Sequence, residues 1–263
     1  MSDLAPIPSS TVLLLRDGAA GLEVFMVKRH HQIDFASGAL VFPGGKVDAS
    51  DADDKLRALA PRAAAATPGE FAILVSAVRE AFEEVGVLLA RPRGRSETIP
   101  GARLALLAPW RERLVKREAT LADLLRSEDL ELATDLLHPF AHWITPKIRA
   151  KRFDTRFYVV AAPEDQAAAH DGSESVDSAW INPAKAIAEA DAGARTLVFA
   201  TRMNLAKLGR ARSVDDAIGR ARASRIVTVC PEIVETDGKR LLRIPAEADY
   251  GLTEMDVTQL RTP

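Results

Sequence analysis

The sequence predicts a mixed α/β fold. Three observations lead to this prediction: two adjacent strand patterns near the start of the chain, an amphipathic helix pattern around residue 80, and later strand patterns that alternate with helical stretches. The elements follow no regular βαβ repeat, and no internal duplication or linker is visible. We therefore expect a single domain over residues 1–263, with insertions near 49–69 and 103–137.

The first strand patterns are two apolar runs, Thr11–Arg16 and Leu22–Lys28. They flank a glycine-containing turn and predict a β-hairpin. A short apolar run at Ala39–Phe42 follows and ends at a Pro-Gly-Gly break. Residues 48–69 then carry four aspartates and two prolines, which is typical of a surface insertion.

The second half of the chain alternates helical and strand patterns. Residues 103–137 have helical spacing, and Thr120 with Asp123 has the spacing of a capping box. Strands are predicted at 156–161, 177–181 and 226–229, with a final hairpin at 233–235 and 241–244, and helices are predicted at 183–190 and 196–208.

Composition is that of an ordinary globular protein, with 47% hydrophobic and 27% charged residues. The net charge of −2 provides no overall positive field that would recruit nucleic acid or anionic lipid. No apolar run approaches the ~18 residues of a membrane span. The single cysteine, Cys230, suits a reducing compartment, and the first residues do not resemble a signal peptide. We expect a cytoplasmic protein without nucleic-acid or membrane partners.

The central helix is predicted from about Glu70 to Val85, with Gly86 as its C-terminal cap. At about 100° per residue, one face of this helix is apolar and faces the core. The apolar face consists of Phe71, Leu74, Val75, Val78, Phe82 and Val85, and the opposite face carries Glu80, Glu83 and Glu84 with Arg79 at its edge.

This acidic face breaks the usual rules for a helix surface. Glu80 and Glu84 form a like-charge i,i+4 pair, which costs about 0.2–0.5 kcal/mol. All three glutamates, including Glu83, lie near the helix C-terminus, where the helix dipole favours cations. Convergent carboxylates are hard oxygen ligands for Mg²⁺ or Mn²⁺. The residues alone leave both a metal site and an acidic solvated face open.

Residues 42–48 and 79–87 together resemble the Nudix box of hydrolases that act on nucleoside-diphosphate-linked substrates. Arg79, Glu80, Glu83, Glu84, Gly86 and Val87 match the second half of this box in order. The first half departs from it, because Asp51 stands where the box has a glutamate and 27 residues, rather than seven, separate Asp51 from Arg79. We expect the 20 extra residues to loop out, which leaves the role of Asp51 open.

The split box and four later segments resemble the coenzyme A and acyl-CoA diphosphatase branch of this family. These segments are 138–146, 152–158, 171–174 and 180–187. The resemblance implies a Nudix α/β/α sandwich, with a mixed curved sheet between helices and helical insertions. It also implies a diphosphatase that cleaves coenzyme A or acyl-CoA to adenosine 3′,5′-bisphosphate and (acyl-)4′-phosphopantetheine.

Two other functions are compatible with the same box. One is hydrolysis of another nucleoside diphosphate derivative, such as a nucleotide sugar, NADH or a dinucleoside polyphosphate. The other is a nucleotide sensor that binds without cleaving. Such sensors usually lose acids of the box, whereas Glu80, Glu83 and Glu84 are all present here.

The resemblance further implies roles for individual residues. Glu83 and Glu84 are expected to bind Mg²⁺ or Mn²⁺ directly, with Glu80 as a ligand or the general base. Arg79 is expected to orient Glu83, and the carbonyl of Gly45 to serve as a further ligand.

More distant residues complete the predicted site. Glu174, in an acidic loop before a strand, is a candidate base or metal ligand. Arg152 and Arg156, in a basic cluster with Arg149 and Lys151, are candidate contacts for substrate phosphate. Arg29, which follows another strand, is a further candidate. The expected partner is a small-molecule nucleoside-diphosphate-linked substrate, and a homodimer is left open.

The pair His138 and His142 has a spacing that could bind zinc on a helix. Pro139 and the absence of an evident third ligand count against such a site. We expect at least one of the two to be a hydrogen-bonded structural histidine.

Overall fold

The structure, a computed structural model, describes residues 5–29, 38–166, 168, 175–236 and 238–257. Its strands are β1 (Ile7–Gly18), β2 (Gly21–Arg29), β3 (Leu40–Val41), β4 (Gly44–Lys46), β5 (Ala90–Pro92), β6 (Leu130–Leu132), β7 (His138–Ile144), β8 (Phe153–Ala161), β9 (Ser175–Ile181), β10 (Thr228–Val229), β11 (Glu232–Thr236), β12 (Lys239–Arg243) and β13 (Glu254–Asp256). Its helices are α1 (Pro68–Val85), α2 (Gly101–Leu106), α3 (Ala108–Val115), α4 (Leu121–Ser127), α5 (Pro183–Asp191), α6 (Phe199–Leu208) and α7 (Val214–Ala223). Among these helices none is both long enough and apolar enough to cross a membrane.

A mixed sheet organises the molecule around β1. This strand runs parallel to β8 over its length, while its other edge pairs antiparallel with β4 near the start and with β2 near the end. Strands β3 and β9 extend the sheet beyond β2, and β7 and β10 extend it beyond β8. Strands β11–β13 form a separate small sheet.

Both faces of the sheet are covered, which explains the unbroken apolar run of β1. Val12 and Leu14 point into a core that contains α1, whereas Leu13 and Leu15 point into a second core on the other face. The first core includes residues of α2–α4, and the second includes residues of α5–α7. The predicted mixed α/β sandwich is therefore confirmed.

The predicted helix is confirmed as α1. Thr67 and Glu70 form a capping box that starts the helix at Pro68, and Gly86 ends it in the left-handed conformation with φ of 70°. The predicted capping box of Thr120 at the start of α4 is also present.

The 48–69 segment, expected to be a surface insertion, is largely exposed but also contributes a few side chains to the core. It folds into 3-10 turns, and Leu56 and Leu59 are buried in the core beneath α1. Asp48 and Asp53, which made the segment read as a loop, cap these turns by accepting hydrogen bonds from backbone N–H groups. The aspartates therefore start local structure and do not mark a solvated loop.

Strand β7 and helix α7 are absent from the sequence prediction. Strand β7 contains Pro139, which lies where the pairing with β8 shifts register, a position that tolerates a missing N–H donor. Helix α7 is largely polar, but Val214, Ala217, Ile218 and Ala221 recur at helical spacing and pack against the second core, so the sequence did carry a short amphipathic signal.

Candidate active site

The acidic face of α1 lies against β4 and the first turn of the insertion. The side chains of Glu80 and Glu83 are only 13% and 18% exposed, and Glu84 is buried. An acidic solvated face, the alternative that the sequence left open, does not describe this helix. These carboxylates are held inside the protein, where charge needs compensation.

Arg79 uses all five of its N–H groups to bind the carboxylates of Asp51, Glu80 and Glu83 and one backbone carbonyl. Nε and Nη2 donate to the two carboxylate oxygens of Asp51, at 2.8 and 2.9 Å. Nη1 donates to Glu80 at 2.8 Å and to Glu83 at 3.0 Å, and Nη2 also donates to the carbonyl of Lys46 at 2.9 Å. With every donor used within the protein, Arg79 is built to position its neighbours.

Two glycines allow β4 to approach α1 closely. The N–H of Gly44 donates to Glu84 at 2.7 Å. A Cβ added to Gly44 would lie 2.7 Å from the Cα of Thr11, and one added to Gly45 would lie 2.5 Å from the Cδ of Glu80. The absence of both side chains therefore brings the backbone of β4 against the acidic cluster.

This contact predicts that Gly45→Ala impairs catalysis more than folding. The added methyl group overlaps the carboxylate of Glu80, whose flexible side chain must then swing away from its place beside Arg79. Gly69→Ala is the matched control, because open space surrounds that position in α1 and we expect it to stabilise the fold by about 0.4–1 kcal/mol. Steady-state rates of diphosphate hydrolysis measure the effect of each variant on catalysis, and urea unfolding measures its effect on stability. Equal activity of the two variants would contradict the prediction.

One guanidinium, that of Arg79, serves several carboxylates in this cluster. Arg79 hydrogen-bonds to Asp51, Glu80 and Glu83, and Glu84 adds a further carboxylate. Burial raises the pKa of Glu80 to about 7 and also raises the pKa values of Glu83 and Asp51, while Arg79 acts in the opposite direction. The guanidinium of Arg79 is thus shared by three buried or largely buried carboxylates, those of Asp51, Glu80 and Glu83.

The donor chemistry of Glu80, Glu83, Glu84 and the Gly45 carbonyl fits a hard divalent cation, because every donor is an oxygen. Within the described part of the chain, no three His, Cys, Asp or Glu side chains are already grouped as a metal site. The hydrogen bonds of the cluster explain this, because Glu80 and Glu83 are turned toward Arg79 and Glu84 accepts from the N–H of Gly44.

A cavity of about 1150 Å³ opens from the acidic cluster. Its walls differ in chemistry. The acidic part contains Glu80, Glu83 and Glu84, the basic part contains Lys46, Arg117, Arg149, Lys151 and Arg240, and the apolar part includes Trp143, Ile148, Phe153, Phe157, Phe199, Ile233 and Leu242.

The predicted phosphate contacts Arg152 and Arg156 are not among the residues that line this cavity. Arg152 donates from Nε to the carbonyl of Thr145 at 3.0 Å. Arg156 lies 4.0 Å from Asp154. On β8 alternate side chains face opposite sides of the sheet, so Arg156 points away from the side on which Phe157 meets the cavity.

The predicted roles of Arg29 and Glu174 stay predictions. Arg29 ends β2, but its side chain is not part of the description, and Glu174 lies outside the described residues. Among the cations that do line the cavity, Arg149 and Lys151 belong to the basic cluster already visible in the sequence. No feature of the sequence marked Arg240 as a cavity residue, because it lies within an ordinary hairpin strand.

His142 is a structural histidine, as expected. Its Nδ1 is hydrogen-bonded to Thr228 at 2.7 Å and its Nε2 to Asp154 at 2.5 Å. These contacts join β7 to β10 on one side and to β8 on the other. Both ring nitrogens are therefore occupied by neighbouring strands.

The chain is similar to several known proteins in sequence and in fold. A crystal structure of a NUDIX hydrolase from Alicyclobacillus acidocaldarius superposes with a TM-score of 0.68 at 25% identity, covering 83% of this chain and 97% of that one. The human acyl-coenzyme A diphosphatase NUDT19 is 32% identical over 209 residues, which are 64% of this chain and 55% of that protein. Putative nudix hydrolase 7 of Caenorhabditis elegans is 27% identical, over 86% of this chain and 68% of that protein.

The chain thus spans about half the length of the human relative. The NUDT19 Nudix domain family matches residues 57–194, which is more than half of this chain, and its members belong to a superfamily that generally uses divalent metal ions. The matched segment contains Arg79, Glu80, Glu83 and Glu84. From the box, the fold and this match, the chain belongs to the NUDT19 Nudix domain family.

Proposed function

We propose that this protein hydrolyses the diphosphate of coenzyme A or acyl-CoA to adenosine 3′,5′-bisphosphate and (acyl-)4′-phosphopantetheine. The observation that carries the proposal is a cavity in which the acidic end of α1 meets basic and apolar walls. The similarity to human acyl-coenzyme A diphosphatase NUDT19 supports it. A cytoplasmic location is part of the proposal and is supported by the lone cysteine, Cys230.

The three walls match the three parts of such a substrate. A diphosphate is an anion that a metal held by carboxylates can bind, the 3′-phosphate is a second anion, and the pantetheine and acyl parts are largely uncharged. The cavity offers acidic, basic and apolar surfaces in turn. A ligand with only one of these parts would leave much of the wall unused.

Glu80, Glu83, Glu84 and the Gly45 carbonyl are the proposed ligands of Mg²⁺ or Mn²⁺. When bound, this cation supplies charge neutralisation of the diphosphate. Arg79 orients Glu80 and Glu83 through its Nη1 donors. In the metal-free cluster, burial raises the pKa of Glu80 to about 7, so this carboxylate accepts a proton more readily than an exposed glutamate does. Glu80 is therefore proposed as the general base or a ligand, and Glu174 stays a prediction for the same roles.

Product chromatography tests this function. The protein is incubated with coenzyme A or acetyl-CoA and Mg²⁺ or Mn²⁺, alongside ADP-ribose, NADH and UDP-glucose, with Glu83→Gln protein as the blank. We expect adenosine 3′,5′-bisphosphate from the wild type, its loss on chelation with EDTA, and its return on adding either metal.

Each other outcome points to a specific alternative. Cleavage of only the other substrates would keep a Nudix mechanism and contradict the coenzyme A assignment. Cleavage of none of them would contradict a hydrolase and favour a protein that senses a nucleotide by binding it. Activity that persists in EDTA would contradict the metal ligands.

A further inference from the structure

A basic loop joins β7 to β8 and lines the same cavity as the acidic cluster. It contributes Arg149 and Lys151 to the wall, whereas Lys147, on the same loop, does not line the cavity. All three side chains are exposed to solvent. The loop therefore offers two cations to a bound ligand and a third that serves as an internal comparison.

Arg149 and Lys151 have no carboxylate partner among the described residues. Two other cations of the cavity wall do have one: Arg117 lies 3.2 Å from Asp48, and Arg240 lies 3.9 Å from Glu235. Lys151 instead lies over the ring of Phe153, with its Nζ 5.7 Å from the ring centroid. The two loop cations are thus available to an external anion.

Hydrogen bonds at the base of the loop hold it in place. Thr145 and Phe153 pair through their backbones at 2.9 Å, and the hydroxyl of Thr145 accepts from the N–H of Phe153 at 3.0 Å. Arg152 donates to the carbonyl of Thr145, and the N–H of Arg149 donates to the carbonyl of Pro146 at 3.1 Å. Arg152 therefore secures the loop that carries the two cations.

The sheet register places the first half of β8, the strand that follows this loop, two strands away from β4. Lys46, on β4, pairs with Ser9 of β1, and Ser9 pairs with Thr155 of β8. Two strand spacings separate β4 from β8, which is about 10 Å. A nucleotide whose diphosphate lies at the glutamates of α1 can therefore extend a second phosphate toward the loop.

We infer that Arg149 and Lys151 form a binding subsite for the 3′-phosphate of a 3′-phosphorylated nucleotide. The inference rests on the proposed function, because coenzyme A carries two anionic groups and the diphosphate is assigned to the acidic end. Arginine and lysine side chains without internal partners are the residues suited to the second group.

Discrimination between coenzyme A and 3′-dephospho-coenzyme A tests the subsite. We expect the wild type to prefer coenzyme A, and Arg149→Ala/Lys151→Ala protein to lose about tenfold to hundredfold in kcat/KM for coenzyme A, the range of one or more charge-assisted hydrogen bonds. The kcat/KM for dephospho-coenzyme A is expected to stay unchanged. Lys147→Ala is the control and should retain the preference of the wild type.

Calorimetry gives a second readout that needs no catalysis. Wild-type protein is expected to bind adenosine 3′,5′-bisphosphate more tightly than 5′-AMP, and the double variant to bind the two equally. An equal loss on both substrates, or a preference that survives the double substitution, would overturn the subsite. If the wild type cleaves neither coenzyme, the proposed function fails, and the calorimetric comparison alone decides the subsite.

Discussion

Glu83→Gln protein is expected to lose diphosphate hydrolysis by at least about 100-fold while it remains folded. The substitution keeps the shape of the side chain but removes a charge proposed to bind the metal, an interaction of several kcal/mol in the transition state. Because burial raises the pKa of Glu83, the fold disfavours its charged form. We therefore expect the neutral amide to leave the free energy of unfolding unchanged or slightly higher at neutral pH.

Glu112→Gln is the matched control, because Glu112 is exposed on α3 and lies outside the cavity wall. Steady-state kinetics at saturating Mg²⁺ or Mn²⁺ and urea unfolding are measured on both variants. Activity of Glu83→Gln protein within about twofold of the control would remove Glu83 from the proposed metal site. A large loss of stability would assign it a structural role instead.

Asp51→Ala protein is expected to lose about 3–5 kcal/mol of unfolding free energy, together with most of its activity. Asp51 is 1% exposed, and its two carboxylate oxygens accept hydrogen bonds from Nε and Nη2 of Arg79. Its removal leaves two buried donors without partners. Arg79, which also holds Glu80 and Glu83, would then be free to shift.

Asp54→Ala serves as the control, because the side chain of Asp54 belongs to the same insertion and is 99% exposed. Urea unfolding gives the difference in stability between the two variants, and hydrolysis assays on the folded fraction give the difference in activity. If both variants unfold at the same denaturant concentration, Asp51 does not anchor the acidic helix.

The sequence predicted the helix of the site more completely than its surroundings. Arg79 and the three glutamates of the box lie on one helix, so a periodicity of 3.6 residues is sufficient to place Glu80, Glu83 and Glu84 on one face. The partner of Arg79 was harder to predict. Asp51 stands at the first acidic position of the box, but with 27 residues between them only the folded insertion shows that the two side chains meet.

The cations of the cavity illustrate the same limit. The sequence shows a basic cluster around residues 149–156, but it does not indicate which of these residues face a ligand. Strand register and the hydrogen bonds of Thr145 decide this, since they turn Arg156 to the opposite side of β8 and tie Arg152 to the backbone. Arg149 and Lys151 are left on the cavity wall.

By itself, then, the sequence determined the mixed α/β fold, the hairpin of β1 and β2, the helix α1 with its three glutamates, and membership of the Nudix family. These follow from patterns within one element or from a motif carried by short segments. Only the tertiary structure decided that the 48–69 segment contributes side chains to the core, that Asp51 and Lys46 hold Arg79, and which basic residues share a cavity with the glutamates. Those contacts join residues far apart in the chain, and side-chain direction at such contacts depends on how sheets, turns and helices pack together.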